Sequence, residues 1–248
     1  MRGRSHEKFS WSYLAIELLI VTMGVLFALA LDQWIETRHE RAESRLLLTA
    51  VRNELRSINT ELDGELAFRK AMTDSADKIF ALASADAPPT RAALEPLLGN
   101  LLWYSDTDFP IGAIDSILVG GKLRLIENED VRYFLASLPG RLEIVKKVER
   151  QDYELQVNVV APYLRTHSNL PQIVASMTTR PGSTQKGKPF FSYPAKEVRD
   201  HSPLLKDSEF LGVVVQSEIV QLNVIDAYNS LRPDLNKTIG LLDTELAD

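Results

Sequence analysis

The sequence predicts an all-α protein: an N-terminal transmembrane helix continuing into a long helix, then an antiparallel helical bundle. Three observations predict it. Leu14 to Leu31 is an apolar run whose one charge is Glu17. From Asp32 to Ala83 there is no proline, and the only glycine is Gly64. Beyond that, almost every apolar pattern has the helical period, and no convincing alternating strand occurs.

About 20 apolar residues cross a bilayer core, and the first run reaches that length with its flanks. Trp11 and Tyr13 at one end and Trp34 at the other are interfacial anchors, since amphipathic rings favour the head-group level. A helix from Trp11 to Trp34 rises roughly 34 Å, about the spacing of two aromatic belts. A cleaved signal peptide is the rival reading, with Arg2, Arg4 and Lys8 as basic head and Ala28-Leu29-Ala30 as cleavage site. Glu17 interrupts its apolar core, however, and Trp34 anchors beyond the cut. A buried core helix leaves the aromatic ends and the basic head unexplained. The anchor is therefore preferred. Lys and Arg set orientation, and they tie: Arg2, Arg4 and Lys8 before the span, Arg38, Arg41 and Arg45 after it. A short basic head before a long exported domain is the usual arrangement. The expectation is a bacterial inner-membrane protein with residues 1–13 cytoplasmic, a span over 14–35 and residues 36–248 periplasmic.

Residues 32–45 are mostly polar, so they read as a stalk. Leu48, Val51, Leu55, Ile58 and Leu62 follow at spacings of 3, 4, 3 and 4, an a/d seam. Packing into its own domain and self-association both fit two heptads. Ala87-Pro88-Pro89 breaks the helix; Thr90 caps the next, which runs through Leu94, Leu97, Leu98 and Leu101 to about Tyr104. A turn over 105–110 leads to a short helix from Ile111 to Val119, stopped by Gly120-Gly121. Asn128 caps another, with Glu129 and Asp130 at its positive end. Pro139-Gly140 punctuates. Arg141 to about His167 is a long helix that Pro162 kinks or ends. In 168–203 five prolines break regular structure, so a functional or disordered loop is expected, with Phe190, Phe191 and Tyr193 packing down. A last helix starts near Ser208 and is interrupted at Pro233.

Composition narrows the function classes. Hydrophobic content of 45% with 25% charge suits a globular domain beyond the span. A net charge of −6 argues against nucleic acid, whose phosphates need a basic patch. The absence of cysteine excludes disulfides, thiolate catalysis and cysteine-ligated metals.

Two stretches carry a resemblance. One is Glu17-Leu-Leu-Ile-Val-Thr-Met-Gly24-Val-Leu-Phe-Ala28-Leu-Ala-Leu-Asp32-Gln-Trp34. The other is Ala113-Ile-Asp-Ser116-Ile-Leu-Val-Gly120-Gly121-Lys-Leu-Arg-Leu-Ile126-Glu-Asn128. Together they resemble an uncharacterised bacterial family of single-pass membrane proteins. That family has an intramembrane acid, Ile-Val, Gly, Ala-Leu and Asp/Asn before Trp, then a Ser-Leu, Gly, Leu, Ile-x-Asn run. The resemblance covers about 35 residues and implies a membrane-anchored helical domain. It implies no activity.

The candidate contact residues lie in the span. Ionisable residues there are functional candidates by default, so Glu17 can meet a partner, or it can reach the head groups from one turn inside. Gly24 and Ala28 form a small-xxx-small pair that lets helix backbones approach. With Glu17 they share roughly one side of the helix. Elsewhere the chemistry is thin. The acidic runs Ser105–Asp108 and Glu127–Asp130 lack the glycine and distal glutamate of a calcium loop, and capping explains the second. His6, His39, His167 and His201 have no ligand spacing. There is no G-x-S-x-G turn, and Gly120-Gly121 lacks the Gly-Lys-Ser/Thr of a phosphate loop. No catalytic residue, cofactor or metal is expected. The expected function is a structural or accessory subunit that binds the bilayer and another membrane protein or itself. The alternative is a periplasmic ligand-binding or sensory bundle that signals through a partner.

Overall fold

The computed structural model describes residues 11–177, 180–181 and 198–247. The described residues are all-α. Helix α1 (Trp11–Ala83) is continuous for 73 residues, about 110 Å. Then come α2 (Arg91–Asn100), α3 (Gly112–Val119), a 3-10 turn (Lys122–Leu125), α4 (Glu129–Leu155), a π turn (Gln156–Val160), α5 (Ala161–His167), α6 (Leu170–Ser176), a second 3-10 turn (Ser202–Lys206) and α7 (Ser208–Ala247). Every residue from Glu17 to Glu43 is exposed, and the bundle starts at Leu48.

Three helices make the frame. Tertiary contacts pair Arg45 with Leu246, Arg56 with Asp243, Arg69 with Gln221 and Glu149 with Tyr228. Helix α7 is therefore antiparallel to both α1 and α4. Ser44 with Leu125 and Arg69 with Asp152 make α1 and α4 parallel to each other. The chain leaves α1 at the far end of the bundle, returns toward the near end through α2 and α3, and rises again in α4. Glu54 of α1 accepts from the N–H groups of Ala113 (2.6 Å) and Ile114 (3.0 Å). A carboxylate there satisfies two orphan donors at the positive end of α3.

The apolar core is in two parts. The near cluster joins Leu48, Val51, Leu55, Ile58 and Leu62 to α3, α4 and the second half of α7. The far cluster joins Ala76 and Ile79 to α2, Val160, Leu164, Ile173 and Phe210 to Val214. The Leu48–Leu62 seam thus packs inside its own domain.

Several expected breaks are absent. Helix α4 runs straight through Pro139-Gly140, and α7 through Pro233. Proline removes one i→i−4 bond. Pro233 and Gly140 are exposed and Pro139 is half-buried, while Leu135, Leu138, Leu231 and Leu235 opposite them are buried. Tertiary burial on the inner side holds the helix together where the outer side loses a bond. Before Pro162 stands a π turn, in which the Ala161 N–H bonds the Gln156 carbonyl. The inward positions Asp152, Gln156, Val160 and Leu164 are successive fours, which a plain α-helix would rotate off the core. Helix α2 ends at Asn100, short of Tyr104, and Thr90 occupies its N-cap without a side-chain cap bond.

The 168–203 stretch is corrected as well. It contains α6, with Asn169 capping through Gln172 N–H at 3.4 Å and Pro171 in the first turn, where its missing N–H costs nothing. A Cβ added to Gly99 would meet Met177 Cγ at 2.7 Å, so glycine permits the α2–α6 approach. Phe190, Phe191 and Tyr193 lie outside the described residues. The Gly120-Gly121 stop holds: Gly121 has φ +64°. So does the Asn128 cap, which accepts from Val131 N–H at 3.2 Å.

Candidate functional site

Glu17, Gly24 and Ala28 lie on the uncovered part of α1. At 100° per residue they fall within about 40° of one another, on one side. Nothing lies within 4 Å of a Cβ added to Gly24, so that side is open to a neighbour. Around it Leu18, Leu19, Ile20, Val21, Met23, Val25, Leu26, Phe27, Leu29 and Leu31 are bare. Each is worth roughly 1.5–3 kcal/mol when removed from water, and together they form one apolar stretch of the helix. Trp34 is exposed, with the Arg38 guanidinium 5.0 Å from its ring centre. The backbone of Trp11 and Tyr13 is helical, and their side chains lie outside the described residues.

Helix α7 is also long and apolar enough to span a membrane, but a third of its apolar window is buried. Phe210, Val214, Val224 and Tyr228 of that helix are core residues. It is a bundle helix.

A buried polar layer separates the two apolar clusters. It occupies the same inward positions as the seam: after Leu62 the 3/4 spacing continues through Glu65, Arg69, Met72, Ala76 and Ile79, all buried. Glu149, Asp152 and Gln156 continue the inward face of α4, and Ser217 and Gln221 that of α7. Arg69, fully buried, donates to the Asp152 carboxylate, to Gln221 Oε1 (2.9 Å) and to the Ser105 carbonyl (2.5 Å). Gln221 donates back to Asp152 at 2.8 Å. Glu149 accepts from Tyr228 Oη (2.5 Å), Thr107 Oγ1 (2.8 Å) and Thr107 N–H (3.1 Å). Burial pushes the Asp152 carboxyl up, against the pull of Arg69. The guanidinium cannot give up its proton, so Arg69 stays a cation beside it. Burial beside Glu149 pushes the Tyr228 hydroxyl up, which keeps it a donor.

The edge of this layer opens on the surface. Arg180 donates to Glu65 Oε1 (2.5 Å) and Ser105 Oγ (2.8 Å), with its guanidinium 4.5 Å from the Phe68 ring centre. Burial raises the Glu61 carboxyl, and Glu65, Asp108 and Glu149 add repulsion against an Asp108 N–H bond. The rim is therefore acidic, with Arg180 as its outer cation.

A second buried set lies at the far end. Gln172 donates to Glu95 and to the Arg199 carbonyl, and His201 Nε2 accepts from Asn169 N–H at 3.1 Å. Nδ1 of His201 stands 3.6 Å from Glu95. Burial lowers the His201 pKa, with Glu95 opposing. The accepting Nε2 fits a neutral ring.

The acidic runs do structural work. Thr107 anchors on Glu149, and Asp130 pairs with Lys237 at 2.7 Å. Among the described residues no three His, Asp or Glu side chains are grouped to hold a metal ion. Neither composition nor any motif marks the polar layer. Its signal was positional: Glu65 and Arg69 sit on the spacing that Leu48 to Leu62 establish. No protein-family model, curated protein or solved structure matches the chain.

Proposed function

We propose that the chain is a single-pass, membrane-anchored helical protein, an accessory subunit that binds another membrane protein or a second copy of itself. The carrying observation is the bare face of Glu17, Gly24 and Ala28 on a helix that runs unbroken into the bundle. An acid and two small residues on one side of a span favour a close helix contact. The continuous helix joins that contact rigidly to the domain. The likeness to the single-pass family supports the anchor, and a cytoplasmic N-terminus with a periplasmic bundle in a bacterial inner membrane is the usual arrangement for a basic segment ahead of an exported domain. The protein acts by contact and not by catalysis.

The test is Glu17→Leu, with purification in mild detergent and mass spectrometry of what stays bound. Association weakens about threefold to thirtyfold, the equivalent of roughly 0.6–2 kcal/mol for a polar contact between spans. The protein stays in the membrane fraction. An unchanged complex, or a wild-type particle that is strictly monomeric and alone, rejects the reading.

The buried polar layer favours a second reading, a ligand-binding or sensory bundle. It ranks lower because Arg69, Asp152, Gln221, Glu149 and Tyr228 direct their bonds at one another. The far-end cleft of about 400 Å³ between residues 82–89 and Ser202–Lys206 opens at the surface, away from them.

A further inference from the structure

The place that Arg180 fills is built by other parts of the chain. Glu65 and Phe68 come from α1 and are 6% and 1% exposed. Ser105 comes from the α2–α3 connection. That connection is fixed independently, by Arg69 on the Ser105 carbonyl and by Glu149 on Thr107. The site therefore keeps its shape when Arg180 is absent. Its parts are those that suit a planar cation: an aromatic face, a carboxylate beside it and a hydroxyl oxygen.

Two further observations mark the site as unsatisfied and exchangeable. Glu65 Oε2 is buried and accepts no hydrogen bond among the described residues, although Oε1 holds Arg180. The Arg180 side chain is 41% exposed, whereas that of Arg69, on the inner side of the layer, is fully covered. One cation is locked in and the other is at the door. Beside the door Glu65 and Asp108 repel the Glu61 carboxylate, a surplus of negative charge that favours a positive group there.

We propose that Glu65, Ser105 and Phe68 form a guanidinium-binding site that Arg180 fills as an internal ligand and that fits an arginine side chain of a partner protein. The inference rests on the bundle and not on the span, so it stands or falls separately from the membrane contact. A partner arginine that displaces Arg180 releases that side chain from Glu65 and Phe68 of α1, which couples binding at the bundle surface to Arg180. The flat face of the guanidinium is the reason for arginine over lysine: Nη2 alone meets Glu65 and Ser105, and stacking on Phe68 needs a plane that an ammonium lacks.

The experiment uses the full-length chain in mild detergent with Arg180→Ala, titrated with Nα-acetyl-arginine amide and followed by thermal unfolding. Nα-acetyl-lysine amide is the control ligand. The expected result is a saturable rise of about 3 °C with the arginine compound at saturation and less than a third of that with lysine. Wild type, its site already filled, requires about tenfold more ligand for the same rise, and the Glu65→Gln/Arg180→Ala double variant loses the response. Should Arg180→Ala fail to fold, Arg180→Lys serves in its place, since it keeps the charge and lacks the flat face. The proposal is overturned by a non-saturable response, by equal responses to the two ligands, or by a response that survives Glu65→Gln.

Discussion

Arg69 shows how one residue joins two halves of a core. It lies where a leucine would continue the seam, and its fork reaches α4, α7 and the α2–α3 connection at once. A buried ion pair is weak evidence for stability in itself, because desolvation offsets attraction. Breaking one is another matter. Arg69→Met leaves the Asp152 carboxylate buried without its cation, and a loss of about 3–5 kcal/mol is expected in urea unfolding. The double variant Arg69→Met/Asp152→Leu recovers more than half of that loss, since no charge is stranded. A single-variant loss below about 1 kcal/mol would mean that water already reaches the pair. Residue type alone points Arg69 outward, as it does most arginines. Only its register, seven residues after Leu62 and three before Met72, points it inward. Arg180 illustrates the opposite limit: nothing in its local sequence of Thr, Arg and Pro predicts a partner 115 residues away.

At the level of elements, periodicity was readable and punctuation was not. The 3/4 seam of Leu48 to Leu62 is a core stripe in the structure, and the glycine stop and Asn128 cap do what their chemistry suggests. Prolines misled because a local rule judges only the lost bond. At Pro139 and Pro233 the neighbouring leucines bury enough surface to carry the helix across the gap. Pro171 sits in a first turn, which the same local chemistry permits but which a proline-rich stretch disguises. The π turn is invisible to a 3.6-residue reading, because it exists to correct a register that only packing defines. A stability test follows from the proline in α7. Pro233→Ala restores the missing bond to the Asn229 carbonyl on an exposed side, so stability rises by about 1–3 kcal/mol. Urea unfolding monitored by helical circular dichroism measures it. A loss of stability would mean that the proline shapes a curve α7 needs.

At the scale of the molecule, two surfaces of opposite character share one helix. From Glu17 to Ile35 the side chains of α1 are bare and mostly apolar; from Leu48 onward its inward face is closed by α4 and α7. Nothing in either core cluster comes from before residue 47. The near end is tied off by Arg45 on the Leu246 carbonyl, Ser44 on the Leu125 carbonyl, and the pairs Lys122–Glu43 and Arg124–Glu40. All of these start at residue 40 or later. The bundle is therefore complete without the apolar segment, and a chain cut to residues 36–248 folds in water without detergent. Its unfolding is cooperative in both urea and heat, and its midpoint lies within about 3 °C of the full chain in mild detergent, the shift that 1 kcal/mol produces at this size. The result matters for the contact reading, because it separates the two jobs of α1. If the cut domain precipitates or melts without a transition, the apolar segment belongs to the fold, and Glu17, Gly24 and Ala28 are packing residues of this chain before they are anyone else's contact.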